Sequence, residues 1–432
     1  MLDLCLINPP HPQLVTPGAQ APIGLLYVAG AAEAAGLSVQ IVDLAAAEMD
    51  ARCWRFPEAR VYGITATYLD IEAVGLLARK IKRWHGSDRR VIVGGPISLS
   101  PERVRINIVD GVDTLVRGEA ESSIVQIVTE DVGPSFEGKP ADVNAIPRPA
   151  RGLWPGKLGG KIFWQADYFP NGSTTIVSSR GCPWNCAFCA GRSLPGARTV
   201  RLRDPADVVA EMEQVVCDHH IREFRFCDEF MTANRRHITA LCNHIRMSVL
   251  LGHGEAAVWR ASVAVKPNDI ELWRQMYAAG CREVSFGVES MDQAVLDTLN
   301  CKKGTVEDAR KALANARKAG LVARALLMIG TPGETRETAV RNIEFLTRGD
   351  YDVAALAIFT PIPGCAVAAK PARFGCAIRE GALDAGLCLY GPDGRNPIAP
   401  TIEVQGLSTE ELRHQMRIQA DVAEAVAKVG RG

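Results

Sequence analysis

The sequence of 432 residues lacks three features that would suggest a function directly. Lys and Arg total 49 and Asp and Glu total 49, so the formal net charge is zero. This balance argues against binding of nucleic acid or of an anionic membrane surface through overall positive charge. There is no uninterrupted apolar run of about 18 residues, so no membrane span is predicted. The opening residues, MLDLCLINPPHP, contain no basic segment. We therefore expect no secretion signal and a cytoplasmic location.

Cysteine is the residue type in unusual supply, with thirteen in the chain. In a reducing cytoplasm, cysteines are more often buried thiols, metal ligands or nucleophiles than disulfides. Cys182, Cys186 and Cys189 form a C-x3-C-x2-C pattern. Three nearby thiolates suit an iron–sulfur cluster, zinc or copper(I). No second CxxC or CxxH pair follows, which disfavours zinc. The alternative is that these are ordinary loop thiols.

The first 130 residues alternate between short apolar runs and helical patterns. Strands are predicted at residues 4–8, 38–44, 60–66, 90–93 and 113–116, with helices between them. This alternation predicts a doubly wound parallel sheet, whose ligands bind outside the carboxyl ends of the strands. Those ends carry the candidate ligand residues Asn8, Pro9, Pro10, Thr65, Thr67, Gly94, Gly95, Pro96, Arg117, Gly118 and Glu119.

Residues 131–172 interrupt this rhythm and are predicted to be a connector with local strand structure. Alternation resumes over 173–365. Strands are predicted near 174–179, 222–227, 257–262, 282–287, 323–329 and 353–359. Helices are predicted near 205–217, 235–249, 269–279, 291–299, 305–319 and 335–347. Six βα units predict a partial barrel with its chemistry on the loops after the strands. Residues 366–432 are predicted to be a short C-terminal extension.

The cysteine motif and four further segments resemble the radical S-adenosylmethionine (SAM) enzymes. The segments are 226–230 (FCDEF), 285–290 (SFGVES), 327–335 (LMIGTPGET) and 359–364 (FTPIPG). The resemblance implies a 4Fe–4S cluster held by Cys182, Cys186 and Cys189, with SAM bound at its open iron. The SAM-binding residues that it implies are Phe188, Asp228, Glu229, Arg260, Ser262, Glu289, Ser290, Met328 and Gly330.

The first 130 residues resemble the cobalamin-binding domain that precedes many radical SAM barrels. The resemblance rests on the residues around Asn8, on 21–25 (APIGL), on 93–96 (VGGP) and on 116–121 (VRGEAE). It implies cobalamin at the candidate ligand residues of the first sheet. The D-x-H-x-x-G motif, which supplies a histidine to cobalt elsewhere, is absent. Cobalamin is therefore expected to bind without histidine, or the domain is vestigial. No histidine has an obvious catalytic partner in the sequence.

Together the two resemblances imply a cobalamin-dependent radical SAM enzyme, first of all a C-methyltransferase. Such an enzyme acts on an unactivated carbon through a 5′-deoxyadenosyl radical and methylcobalamin. The alternatives are cyclisation, rearrangement or oxidation with the same cofactors and, outside catalysis, a cobalamin or iron–sulfur sensor. The expected partners are a small-molecule or peptide substrate and an electron donor such as flavodoxin or ferredoxin. Nucleic acid is not expected.

Several residues also have structural interpretations. Asp228 and Glu229 could cap a helix. Arg260 and Ser262 could pack inward, and Lys266 is a weaker candidate for the SAM carboxylate. The other ten cysteines are expected to be packing residues. A second cluster on Cys365, Cys376 and Cys388 is a less favoured alternative.

Overall fold

The computed structural model describes residues 1–11, 20–47, 50–100, 111–156, 172–252, 256–266, 269–301, 304–382 and 399–429. Contacts between Cα atoms divide the chain into two compact units. Unit 1 comprises Met1–Ile176, Ser193–Ala197 and Glu211–Phe224, and unit 2 comprises Val177–Arg192, Arg198–Ala210 and Arg225–Gly432. Within the described ranges, no helix is long and apolar enough to cross a membrane.

The first sheet has six parallel strands in the order β2-β1-β3-β4-β5-β6. The strands are β1 (Leu2–Asn8), β2 (Val39–Asp43), β3 (Ala59–Thr65), β4 (Arg90–Gly94), β5 (Thr114–Gly118) and β6 (Ser135–Gly138). The chain order reverses between β1 and β3, because β2 lies on one side of β1 and β3 lies on the other. Ligands of doubly wound sheets bind at such a reversal, outside the carboxyl ends of the strands.

Within the described ranges, this sheet is accompanied by three helices, α1 (Ile23–Ala34), α2 (Ile71–His85) and α3 (Ile124–Thr129). The strands read as nearly continuous apolar runs, which is typical of parallel strands covered on both faces. Ile7 and Val93 are completely buried in the core, as are Leu77 and Ile81 of α2. Their spacing of four residues places Leu77 and Ile81 on one face of the helix, which explains how α2 packs on the sheet.

The sheet has one strand more than the five predicted for the first 130 residues, because β6 lies in the segment predicted to be a connector with local strand structure. Its four residues, SFEG, include a single large apolar side chain, so their pattern does not give the position of the strand. Two glycines make the pairing with β5 possible. A Cβ atom on Gly118 would lie 2.6 Å from the carbonyl oxygen of Gly138, closer than packed atoms approach.

The second sheet has the strand order β14-β13-β12-β11-β10-β7. Its strands are β7 (Ser173–Ile176), β10 (Glu223–Phe226), β11 (Val258–Val263), β12 (Cys281–Glu289), β13 (Val322–Ile329) and β14 (Val353–Ile358). Two antiparallel pairs lie outside it, β8 (Ser179–Arg180) with β9 (Arg201–Leu202) and β15 (Cys376–Ile378) with β16 (Ile402–Val404).

The helices of this second half are α4 (Pro205–His219), α5 (Arg235–Met247), α6 (Ile270–Ala278), α7 (Gln293–Thr298), α8 (Val306–Lys318), α9 (Arg336–Arg348), α10 (Ala366–Ala369) and α11 (Thr409–Val429). Helices α8 and α9 begin with capping boxes at Thr305 and Thr335, which satisfy the first free amides. Every predicted strand and helix of the barrel has an observed counterpart within a few residues. The predicted fold class, a doubly wound sheet followed by a partial βα barrel, is confirmed.

Candidate functional site

The three motif cysteines lie in the loop between β8 and β9. Cys186 is buried, Cys182 is half-buried and Cys189 is exposed, and none of the three forms a disulfide. Across the described ranges, no three His, Cys, Asp or Glu side chains surround one point as they would around a single metal ion. The loop therefore brings three soft ligands into one segment of chain without closing them on a common centre. Their chemistry fits an iron–sulfur cluster, which thiolates bind.

The loop is fixed on both sides of Cys186 by the end of α7. The amide of Ala187 donates to the carbonyl of Leu299 at 2.8 Å, and the side-chain amide of Asn300 donates to the carbonyl of Asn185 at 2.8 Å. Asn300 has a φ of 49°, the left-handed conformation that often ends a helix. Asn300 was not anticipated from sequence, since an asparagine at a helix end predicts only a turn.

An apolar cluster packs behind the cysteine loop. Its buried members are Cys186, Val295, Leu296, Leu299 and Cys301, and the half-buried Trp184, Phe188, Val306 and Met328 pack against them. Two predicted SAM-site residues, Phe188 and Met328, are thus brought together with the cysteine loop.

Asp228 and Glu229 hold the start of this loop. The Asp228 carboxylate accepts from the Ser178 amide at 2.8 Å and from the hydroxyls of Ser178 and Ser179 at 2.6 and 2.5 Å. Glu229 accepts from the amide of Gly181 at 3.0 Å. Burial raises the pKa of Asp228 to about 6, although the serine hydrogen bonds oppose the shift. The helix-capping interpretation is wrong for both residues, because these carboxylates bind the preceding loop.

Arg260 and Ser262 lie on the less buried face of β11. Ala261, which lies between them in the sequence, is buried on the opposite face with Trp259. Ser262 is paired in register with Ser285 on β12. These side chains therefore occupy the sheet face that is left more open.

Glu289 ends β12 in an unusual conformation. Its φ is 65°, it is buried, and the pairing of β12 with β13 shifts register between Gly287 and Glu289. A left-handed glutamate costs conformational energy and is often found at functional sites. The hydroxyl of the next residue, Ser290, accepts from the amide of Asp292 at 3.2 Å.

A buried polar network joins the ends of β12 and β13. Glu334 accepts from the amides of Gly330 and Thr331 at 2.7 and 3.0 Å. Its other oxygen accepts from Gln419 of α11 at 2.8 Å. Gln419 in turn accepts from Asn342 at 3.0 Å, and the Asn342 side chain accepts from the amide of Met291 at 2.8 Å. Burial raises the pKa of Glu334, and these donors lower it in part. One side chain of α11 thus links the loops of Ser290 and Gly330.

At the carboxyl edge of the first sheet, the loop after β4 is open. Gly95 and Pro96 are exposed, and Gly94 is half-buried. Gly95 has a φ of 89°, and a Cβ atom there would lie 2.9 Å from the carbonyl oxygen of Ala66. The positive φ and this close packing on the loop after β3 mean that only glycine fits this position.

Other predicted residues of this edge are engaged in holding it together. Asn8 donates to Asp43 at 2.8 Å, and Thr67 forms a capping box with Asp70. Arg117 donates to the carbonyl of Ser193 at 2.5 Å, and Glu119 accepts from the amide of Ala141 at 2.7 Å. Pro9 and Pro10 are buried, while Thr65 is half-buried beside Gly95. These hydrogen bonds hold the loops of this sheet edge in place.

The sequence gives no histidine an obvious catalytic partner, but the structure brings one histidine to a carboxylate. Nδ1 of His11 lies 2.9 Å from Oδ1 of Asp70. Helix α1 and strands β2 and β3 lie between the two residues in the sequence, so nothing in its local pattern links them.

Among the remaining described cysteines, most are buried or half-buried as expected of packing residues, whereas Cys53 and Cys217 are exposed. Burial raises the pKa of Cys365 and raises that of Cys376 to about 11, which disfavours their thiolates. Cys388 lies outside the described residues. The second-cluster alternative therefore stays untested.

Comparison with known protein families matches residues 176–346 to the radical SAM superfamily and residues 14–128 to the B12 binding domain. The chain therefore contains a B12-binding domain followed by a radical SAM domain. Its cofactors are accordingly a 4Fe–4S cluster, SAM and cobalamin, and it is an enzyme.

Two relatives and one solved structure illustrate the similarity. An uncharacterized methyltransferase of Pyrococcus horikoshii is 29% identical over 79% of this chain and 76% of that protein. The anaerobic magnesium-protoporphyrin IX monomethyl ester cyclase of Cereibacter sphaeroides is 28% identical over 58% of this chain and 43% of its own. The radical SAM methyltransferase TsrM of Kitasatospora setae, solved with cobalamin and a [4Fe-4S] cluster, has a TM-score of 0.63 at 19% identity, covering 84% of this chain and 77% of that one. That likeness establishes the shared fold.

Proposed function

We propose that this enzyme is a cobalamin-dependent radical SAM C-methyltransferase that methylates an unactivated carbon. The observation that carries the proposal is the pairing in one chain of a three-cysteine loop on a radical SAM barrel with an open, glycine-lined edge on a B12-type sheet. The relatives named as methyltransferases favour methyl transfer. The cyclase relative makes ring formation the second candidate.

In this proposal Cys182, Cys186 and Cys189 hold the cluster. The two hydrogen bonds on either side of Cys186 fix the position of the cysteine loop. The ends of β12 and β13, with Glu289 and Gly330, bind SAM. When bound, SAM and cobalamin supply the radical and the transferable methyl group, while the chain binds, orients and excludes water.

The proposed SAM site also includes Phe188, Asp228, Glu229, Arg260, Ser262, Ser290 and Met328. Asp228 acts through the loop that it anchors, because its carboxylate accepts hydrogen bonds from Ser178 and Ser179. The proposed cobalamin site is the carboxyl edge of the first sheet, from Asn8 to Glu119.

The proposal includes a small-molecule or peptide substrate and an electron donor such as flavodoxin or ferredoxin. The donor is required because a resting cluster must gain one electron before SAM is cleaved. A cytoplasmic location, where such donors occur, belongs to the same proposal.

The test is product analysis with the reconstituted protein, SAM and a reductant. Formation of both 5′-deoxyadenosine and S-adenosylhomocysteine supports methyl transfer. Deoxyadenosine without S-adenosylhomocysteine would overturn methyl transfer in favour of the cyclase-type alternative. Absence of deoxyadenosine would overturn radical chemistry altogether.

A matched pair of variants tests the cluster ligands. Cys186→Ala should lose the absorbance and iron of the 4Fe–4S cluster. Cys242→Ala, which removes an equally buried thiol from α5, should retain both. Equal iron content in the two variants would contradict the ligand assignment.

A further inference from the structure

His11 and Asp70 lie at the point where the first sheet reverses its strand order. His11 follows β1, and Asp70 follows β3, the neighbouring parallel strand. Their carboxyl ends meet at one edge, which is where doubly wound sheets bind ligands. The amide of His11 donates to the carbonyl of Ala45, after β2, at 3.1 Å, so its backbone is fixed at this edge.

The carboxylate of Asp70 is oriented toward the imidazole. Its Oδ2 accepts from the amide and the hydroxyl of Thr67 at 2.6 and 2.9 Å. Its Oδ1 is buried and lies 2.9 Å from Nδ1 of His11, but it receives no hydrogen bond of good alignment. Burying a carboxylate oxygen without a hydrogen-bond donor costs free energy. Rotation of the His11 ring would bring its Nδ1–H into line as that donor.

The imidazole of His11 is partly exposed to solvent. The His11 side chain retains 17% of its exposure, whereas that of Asp70 retains 1%. Among the residues that the structure describes, the second ring nitrogen, Nε2, has no hydrogen-bond partner. Metal-binding histidines commonly donate one ring N–H to a carboxylate and offer the other nitrogen to the metal.

We propose that Nε2 of His11 would ligate cobalt when cobalamin binds unit 1, with Asp70 as the residue that orients the imidazole. The inference rests on cobalamin binding by this sheet. It replaces the expectation, drawn from the missing D-x-H-x-x-G motif, that cobalt has no histidine ligand. Here the acidic partner comes from the loop after β3, so no short motif contains both residues.

The test uses electron paramagnetic resonance of the bound cobalamin in its Co(II) form. Protein labelled uniformly with nitrogen-15 is loaded with cobalamin of natural isotopic composition. A nitrogen from the protein then splits each cobalt line into a doublet, because nitrogen-15 has spin one-half. A nitrogen from the benzimidazole tail of cobalamin gives a triplet. We expect the doublet.

Two variants complete the experiment. His11→Ala should lose the doublet while the corrin remains bound, and His85→Ala should keep it, since His85 stacks on Tyr62 at the other end of α2. A triplet, no nitrogen splitting, or a doublet that survives in His11→Ala would each overturn the proposal. If no corrin absorbance is retained by the wild-type protein, the cofactor assignment itself fails, which is a different result.

Discussion

Replacing Gln419 with leucine should loosen two loops that are far apart in sequence. Gln419 is fully buried, and its side chain contacts both Glu334 and Asn342. Leucine has similar size but forms no hydrogen bond. The substitution therefore leaves one oxygen of the Glu334 carboxylate and one N–H of the Asn342 amide without these partners.

The magnitude follows from the groups that lose their partners. A hydrogen bond to a charged group contributes about 1.5–3 kcal/mol, and an unsatisfied buried donor costs about 1–3 kcal/mol. Burial of the leucine side chain offsets part of this loss. We expect a net cost of about 3 kcal/mol in the local opening free energy. Since 1.4 kcal/mol is about a factor of ten, amide exchange should accelerate about a hundredfold.

The assay is hydrogen–deuterium exchange of the native protein, followed in peptides that cover 289–293 and 327–335. The informative amides are those of Met291, Gly330 and Thr331, which donate within the network. Gln415→Leu is the matched control, because its Oε1 is buried without a partner one turn earlier in α11. Its exchange should be unchanged or slower. Acceleration of less than about threefold in Gln419→Leu, or an equal effect of the control, would refute the reasoning.

Three further predictions concern single residues. Burial raises the pKa of Asp228 from its ordinary value of 3.8 to about 6. The contribution of this group to stability is therefore full below about pH 4 and is lost as the pH rises through about 6. Asp228→Asn should flatten the dependence of the melting temperature on pH across that window. Asn300→Gly keeps the left-handed backbone but loses the hydrogen bond to the carbonyl of Asn185, worth about 0.5–1.5 kcal/mol. A chelator should therefore remove iron from the cluster about two- to tenfold faster. An unchanged rate would contradict the role of this hydrogen bond in fixing the cysteine loop. Gly95→Ala should weaken retention of cobalamin on gel filtration, whereas Gly36→Ala, which has a similar φ but no atom within 4 Å, should not.

The sequence predicts the parts of this protein that depend on local pattern. Apolar strands alternating with helices specify the parallel sheets, and the spacing of Cys182, Cys186 and Cys189 identifies the cluster loop. The position of strand β6 is not predicted, because its four residues have little apolar character and its pairing depends on the close approach of two glycines.

The supporting residues of the site could not be predicted, because their partners are distant in the chain. Gln419 lies on an amphipathic helix, where a glutamine ordinarily indicates a solvent-facing position, and its partner Glu334 is 85 residues earlier. His11 and Asp70 are likewise joined by the register of β1 with β3. Such residues become visible only when the topology places the elements side by side.

The position of Gln419 has a consequence for the order in which the enzyme is assembled. During translation, the loops that contain Met291 and Gly330 emerge before α11, and N-terminal segments fold first. Until α11 packs, the Glu334 carboxylate lacks the Gln419 amide, and the connection to Asn342 does not exist. The proposed SAM-binding edge of the barrel is therefore completed only after α11 has been synthesised, and stable loading with SAM should follow synthesis of that helix.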